Sequence, residues 1–281
     1  MQYFEPNFVD EALVLLDRFS PGARVLAGGT LLGPQLRREP HDAATIINIK
    51  RIPELSDVAL EGEHLKIGGV VTARALAEHP LVRKHAPLLA QAAASLGARQ
   101  LRNVATLGGN LCSGHPAADL TAALLALDAR CLVANIHEGP RDVPLPDFLR
   151  PHSHALAQGE LLTGVTIPLV TAGAAYVKMQ TRRAFEMALV AVAVRFAVNE
   201  SGTIWNARIA LAGAAPVPVR AHRAEASVTD KAPSPECFKA AARRAADEDA
   251  RPYSDHRASA EYRRHLVLVL TERALAEAEL L

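Results

Sequence analysis

Ala105-Thr106-Leu107-Gly108-Gly109-Asn110 sets two glycines between an apolar lead-in and a hydrogen-bonding side chain. The same arrangement occurs at Val25-Leu26-Ala27-Gly28-Gly29-Thr30. Glycine admits positive φ and lets backbone N–H groups approach a ligand with no Cβ in the way. Consecutive N–H groups of this kind make an anion-binding nest, and a helix starting just after adds its partial positive charge. One loop suits one phosphate, and two loops suit a pyrophosphate held between them. The competing reading is a pair of tight turns. Single-loop nucleotide motifs fail on spacing. Gly28 and Gly33 match the glycines of G-x-x-x-x-G, but Pro34-Gln35 stand where a P-loop needs Lys and Ser/Thr. No G-x-G-x-x-G occurs, which argues against a Rossmann dinucleotide site.

Outward from these loops, the pattern alternates short strands and helices. A helix is expected over 11–19, capped by Asp10 and burying Leu13 and Leu16. Strands are expected at 24–27, 45–49, 65–70, 130–134 and 161–168. Helices are expected at 31–38 (ending near Pro40), 72–78 with Thr72 as cap, and 86–96 finished by Gly97. Residues 102–119 and 140–154 read as loops around a helix at 120–127 that is apolar on all sides and capped by Asp119. Composition shifts near 170–175. Beyond it, strands are expected at 174–180, 189–198 and 203–211, the last two joined by Asn199-Glu200-Ser201-Gly202. Ser234-Pro235 opens a helix to about 246. A final helix, 261–277, is expected to turn Tyr262, Leu266, Val269 and Leu270 inward. The fold class is therefore α+β, in two units of 1–173 and 174–281.

Composition narrows the function. The chain has 281 residues, 49% of them hydrophobic, enough for a real core. Its 31 Lys+Arg against 30 Asp+Glu give +1, without the basic footprint of a nucleic-acid binder. The longest apolar run, Met187–Val194, is far short of the ~20 residues of a membrane helix. The N-terminus lacks a signal-peptide pattern, and Cys112, Cys131 and Cys237 form no C-x-x-C, which fits a reducing, cytoplasmic setting. Ser113-Gly114-His115 with Asp119 lacks a nucleophile elbow, so a hydrolase is disfavoured. His152-x-His154 has no acidic or thiol partners nearby and reads as a solvated loop. Lys178 is a lone lysine in an apolar strand, able to snorkel to solvent.

Leu26–Leu32, Arg102–Asn110 and Pro116-Ala117-Ala118-Asp119 strongly resemble the FAD-binding (medium) subunit of the molybdenum hydroxylases, the xanthine dehydrogenase and carbon monoxide dehydrogenase family. Supporting matches are Gly159-Glu160-Leu161-Leu162 before Ile167-Pro168, Lys178 with Thr181-Arg182-Arg183 and Ala188, and Glu261-Tyr262-Arg263 with Leu266 and Arg273-Ala274-Leu275. The resemblance implies a vanillyl-alcohol-oxidase-type (PCMH-type) FAD-binding domain over 1–173, in subdomains of about 1–55 and 56–173. A smaller α+β domain over 174–281 follows, with a three-stranded antiparallel sheet and helices. It implies that Ala27, Gly28, Gly29, Thr30 and Leu31, with Thr106, Gly108, Gly109 and Asn110, hold the FAD pyrophosphate. Ser113 and Asp119 would contact the nucleotide, Leu96 and Leu162 would line the flavin or adenine, and Lys178 would lie near the flavin.

The implied activity is electron transfer. A noncovalent FAD would receive electrons from two 2Fe–2S centres in a small subunit, fed by a molybdopterin-bearing large subunit, in a dimer of heterotrimers. The organic redox chemistry belongs to the cofactor. This chain would carry no catalytic residue for the hydroxylation and no metal. Relatives with an iron–sulfur cluster in this subunit need four cysteines, and this chain has three. Two departures stand out: Glu186 where the family often has Asp, and Met187 where some members place an aromatic residue. Two alternatives differ in kind. One is a stand-alone FAD oxidoreductase on the same fold, although neither glycine loop carries a histidine for covalent flavin. The other is a binding or assembly protein that has lost FAD, against which the intact loops argue.

Overall fold

Parallel pairing opens the chain. β1 (Gln2–Phe4), α1 (Val9–Phe19), β2 (Ala23–Leu26), α2 (Leu32–Arg38) and β3 (Thr45–Asn48) build a three-stranded parallel sheet of order β1-β3-β2. This computed structural model describes residues 1–39, 44–182 and 186–280, so Pro40 and Arg183 lie outside the described residues. Helix α1 buries Ala12, Leu13 and Leu16 in a core shared with Ile47 and Ile49. Its N-cap is Phe8, not Asp10, with no side-chain cap. Asp10 instead sits in the first turn, where its charge still meets the positive helix end.

The next strands, β4 (Val58–Glu61) and β5 (His64–Gly68), lead into a helical layer. It comprises α3 (Ala73–Glu78), α4 (Pro80–His85), α5 (Pro87–Ser95), α6 (Arg99–Arg102), α7 (Leu107–Cys112) and α8 (Asp119–Ala126). Then come β6 (Arg130–Asn135), β7 (Gly139–Pro144), α9 (Leu145–Phe148), the short hairpin of β8 (Leu149–Arg150) and β9 (Ser153–His154), and β10 (Leu161–Pro168). The antiparallel order β4-β5-β10-β6-β7 places the last strand at the centre. That position accounts for the burial of Leu161, Leu162, Val165 and Ile167, with Thr163 and Thr166 only partly covered. Both expected loops contain structure. Thr106 starts α7 inside 102–119 by accepting from the Gly109 N–H. Residues 140–154 contain most of β7, which is an exposed edge strand with Pro140 and Pro144 and so lacks apolar alternation. Thr72 and Ser234 cap their helices as expected, accepting from Ala75 N and Cys237 N.

β11 (Gly173–Met179), β12 (Val190–Val198), β13 (Ile204–Ala212) and β14 (Val219–Arg220) form an antiparallel sheet in that order, with α10 (His222–Val228), α11 (Pro235–Arg244) and α12 (Ala260–Glu279) following. The expected three strands thus gain a fourth of two residues, too short for a periodic signal. One sheet face carries Ala175, Val177, Val192, Val194 and Phe196, in a core shared with α10–α12. The other carries Ala174, Ala191, Ala193, Ala210 and Ala212, in the same core as α5 and α8. Small side chains let α8 lie close, and every one of its residues is buried. One core therefore spans residues 65–212, across the expected boundary at 173. On α12, Tyr262 points outward, 46% exposed, and Arg263 is fully buried in its place. Arg263 donates to Leu189 O and Gly213 O, pairs with Asp255 at 2.8 Å, and lies over the Tyr253 ring. These partners hold inside the core a residue type that periodicity assigns to solvent.

Candidate functional site

The two glycine loops meet. An ideal Cβ on Gly28 would fall 2.0 Å from Val104 O and 3.2 Å from Ala105 Cα, so the first loop lies flat on the segment leading into the second. Gly29 has φ +69°, a left-handed conformation that glycine adopts without strain. The loops differ in what their N–H groups do. From Gly28 to Leu31, no N–H has a hydrogen-bond acceptor among the described residues. In the second loop, Leu107 N donates to Val71 O, Gly108 N to Gly69 O, Gly109 N to Thr106 Oγ1 and Asn110 N to Thr106 O. Only the first loop is an open nest. The second is the first turn of α7 and offers side chains and space. Gly109 is exposed, and a Cβ there would meet only Thr106 Oγ1, at 2.9 Å. Its φ is not positive. Leu162 is buried beside this turn: its carbonyl oxygen lies 3.0 Å from the Cβ position of Gly69, whose own carbonyl receives the Gly108 N–H. Ser113 ends α7 and donates to Asn110 O at 2.7 Å.

Asp119 and Lys178 meet in a second group, beside the end of α5, where Leu96 is the C-cap. Asp119 does not cap α8; Ala118 holds the cap position with no side-chain bond. Its carboxylate turns instead to β11, accepting from Tyr176 OH at 2.7 Å and pairing with Lys178 Nζ at 3.0 Å. Lys178 also donates to Ser95 O at the end of α5. Its side chain is 5% exposed, so it does not snorkel to solvent. Burial pushes the Asp119 carboxyl up, with Lys178 and Tyr176 pulling the other way. Burial, reinforced by the Asp119 charge, pushes the Tyr176 phenol well up, so it stays protonated and donates. Of these residues, Ser95, Tyr176 and Lys178 line a cavity of about 610 Å³ between α5, α6 and β11, together with Gln91, Arg99, Arg102 and Gln180. Arg102 donates to Leu96 O at 3.0 Å. It thereby fixes the turn after α5 two residues before Val104 lies on Gly28, which links the two groups.

Other candidates fall outside both groups. His115 accepts from Ala117 N and lies edge-on to His152 at 6.5 Å. Burial, with Arg257 and His152 nearby, pushes it down to about 4, so it is neutral at pH 7. No set of three His, Cys, Asp or Glu able to hold a metal occurs among the described residues. Glu186 accepts from Thr181 Oγ1 at 2.7 Å and from Arg182 at 2.6 Å, while Met187 is 43% exposed. Sequence reasoning missed Tyr176, Ser95 and Gln91. The available signal for Tyr176 was its place two residues before Lys178 on a strand, which puts both on one face. Nothing in the sequence pairs either residue with Asp119.

The fold and loops define a chain that presents an open backbone nest at Gly28–Leu31 on an α+β frame, and comparison with known proteins gives the class. Residues 1–170 match the family described as FAD binding domain in molybdopterin dehydrogenase, and residues 174–278 match the CO dehydrogenase flavoprotein C-terminal domain. The chain is 33% identical to the putative xanthine dehydrogenase FAD-binding subunit of Escherichia coli, over 92% of this chain and 89% of that protein. It is also 33% identical to the carbon monoxide dehydrogenase medium chain of Hydrogenophaga pseudoflava, over 98% and 95%. A solved carbon monoxide dehydrogenase from that organism, lacking the Mo-pyranopterin moiety of its molybdenum cofactor, superposes with a TM-score of 0.94 at 32% identity. The match covers 100% of this chain and 97% of the other. The chain belongs to the family of FAD-binding medium subunits of the molybdenum hydroxylases, and is an oxidoreductase flavoprotein subunit. Among the described residues, no helix is long and apolar enough to cross a membrane.

Proposed function

We propose that this chain binds one FAD noncovalently and passes electrons from the 2Fe–2S centres of a small partner subunit to a final acceptor. The substrate is oxidised at a molybdopterin site on a large partner subunit, within a dimer of heterotrimers in the cytoplasm. The observation that carries this reading is the row of four free N–H groups at Gly28–Leu31, pressed by Gly28 onto the segment before a second, Cβ-free opening at Gly109. That arrangement fits a pyrophosphate: a row of donors on one side, and room for backbone-close approach on the other. Bound FAD supplies the step between one-electron and two-electron carriers.

The protein's own residues hold and orient. Ala27 and Gly28–Leu31 take the phosphates, and Thr106, Gly108, Gly109, Asn110 and Ser113 form the facing wall. Leu96 and Leu162 offer apolar contact to the rings. Lys178, held by Asp119, puts a cation beside them. The division of labour we propose is FAD binding by 1–173, with subdomains of about 1–55 and 56–173, and closure of the site by 174–281. The core shared by α8 and the alanine face of the second sheet supports a rigid arrangement of the two. The test is expression of the chain alone and in its native background. FAD should be released by acid at one per chain, with no oxidation of aldehyde or heteroaromatic substrate by the chain alone. Small and large partners should copurify from native extract. A colourless chain that FAD does not reconstitute refutes the binding reading, and a lone monomer in extract refutes the complex.

A further inference from the structure

The cavity between α5, α6 and β11 has a one-sided chemistry. No Asp or Glu lines it, while Arg99, Arg102 and Lys178 do. The acceptors at its wall are already occupied. Ser95 O takes Lys178 Nζ at 3.2 Å, and Leu96 O and Gly97 O take one terminal nitrogen of Arg102 at 3.0 and 3.4 Å. Gln91 Oε1 takes the Tyr176 backbone N–H at 3.0 Å, which leaves the Gln91 NH2 group to donate. Lys178 adds no free charge, because Asp119 balances it at 3.0 Å. The two arginines are not balanced. Among the described residues, the Arg99 side chain has no acceptor, and Arg102 bonds only to those two carbonyls, so its Nε and second terminal nitrogen are free. They stand three apart on α6, on one face, where like charges repel. In a chain of net charge +1, two unpaired guanidiniums therefore line one concavity.

We propose that this cavity binds the phosphate or carboxylate group of a second small molecule, held by Arg99 and Arg102 with the Gln91 amide alongside. Free guanidinium N–H groups match both kinds of oxyanion through paired donors. A wall with donors to offer and its acceptors occupied selects an anion over a cation. An anion between Arg99 and Arg102 also removes their mutual repulsion. The volume of about 610 Å³ lies in the range of small-molecule sites. That the ligand is a molecule other than FAD rests on the reading given above. FAD carries its fixed negative charge on the pyrophosphate, and the Gly28–Leu31 nest takes that group. The arginines of α6 are then left for a different anion.

The experiment is calorimetric titration of the FAD-loaded full chain with inorganic pyrophosphate, and separately with succinate, in wild type, Arg99→Gln and Arg102→Gln. FAD loading blocks the nest, so the titration reads the cavity. Wild type should take up one equivalent of at least one probe, more weakly as salt rises, and the tighter probe names the headgroup. Arg102→Gln should weaken that binding about tenfold. Arg99 is exposed and better screened, so Arg99→Gln should weaken it about threefold. No binding of either probe to FAD-loaded wild type overturns the proposal, and if the apo chain does bind them, the anion site belongs to FAD itself. Binding that both substitutions leave unchanged overturns it as well. Should Arg102→Gln fail to fold, Arg99→Gln carries the test: weaker binding supports the proposal, and unchanged binding refutes it. Wild type that takes up no FAD overturns the FAD reading alone, and the same titration of that apo chain, with and without Arg99→Gln, then decides the oxyanion site.

Discussion

Gly28→Ala is the smallest change that separates the two loops. The added Cβ would lie 2.0 Å from Val104 O, 2.9 Å from its carbonyl carbon and 3.2 Å from Ala105 Cα. All three are backbone atoms, so no side chain can swing away and the segments must part. Gly28 does not have a positive φ, so alanine is conformationally allowed and the cost is steric alone. Overpacking of this kind costs about 1–3 kcal/mol. At roughly 2–4 °C per kcal/mol for chains approaching this size, the apo melting point should fall by about 2–12 °C. FAD needs the loops together, so whatever part of that strain the apo chain relieves by parting them falls on binding instead, and the Kd should rise, by up to roughly 150-fold. Gly33→Ala is the matched control. It lies at the start of α2, with nothing beyond its chain neighbours within 4 Å of its Cβ position, so alanine there should not part the two loops. The assay is flavin titration by absorbance, with thermal melts of the apo proteins so that ligand stabilisation does not mix with folding. Wild-type Kd and melting point in Gly28→Ala refute the claim that the loops are packed as a unit.

Gly109→Val should lose FAD with an apo melting point close to wild type, because Gly109 is exposed, has no positive φ, and its Cβ meets only the Thr106 hydroxyl; paired flavin content and melts check this. Asp119→Ala should cost about 3–5 kcal/mol, more than a lost helix cap, because it strands the buried Lys178 charge; denaturant melts of the apo form measure it. His115 is depressed to about 4 chiefly by burial, so the unfolded chain takes up a proton that the folded chain refuses. Stability is therefore full above pH 6.5 and falls as pH drops toward 4. His115→Gln should remove part of that fall in melts between pH 7 and 4. The Glu160 carboxyl is lowered mainly by its paired hydrogen bonds from Arg141, at 2.6 and 2.7 Å. Its contribution is present above 4.5 and lost as pH falls below, so Glu160→Gln should flatten the stability curve on the acid side of pH 4.5.

The sequence displayed those parts of the fold that repeat or punctuate. Alternation and apolar runs marked the long strands, Thr72 and Ser234 marked helix starts, and the paired Gly-Gly loops marked the site. What escaped was set by contacts distant in sequence. Asp119 reads locally as a cap because it precedes an apolar helix, yet the ammonium and phenol 59 and 57 residues away claim its carboxylate. Arg263 reads as surface and Tyr262 as core, and the structure reverses them because Asp255, Leu189 O and Gly213 O supply partners for the two terminal nitrogens of the buried guanidinium. The two loops look alike as sequences. Only the structure shows that the second loop's N–H groups are already taken, by Val71, Gly69 and Thr106.

The most direct test of the account is the stoichiometry of FAD on the purified chain, by absorbance before and after acid precipitation. The account predicts one FAD per chain, all of it in the acid supernatant. Flavin that stays with the precipitate contradicts noncovalent binding, and a chain that takes up none at saturating FAD contradicts the assignment of the Gly28–Leu31 nest.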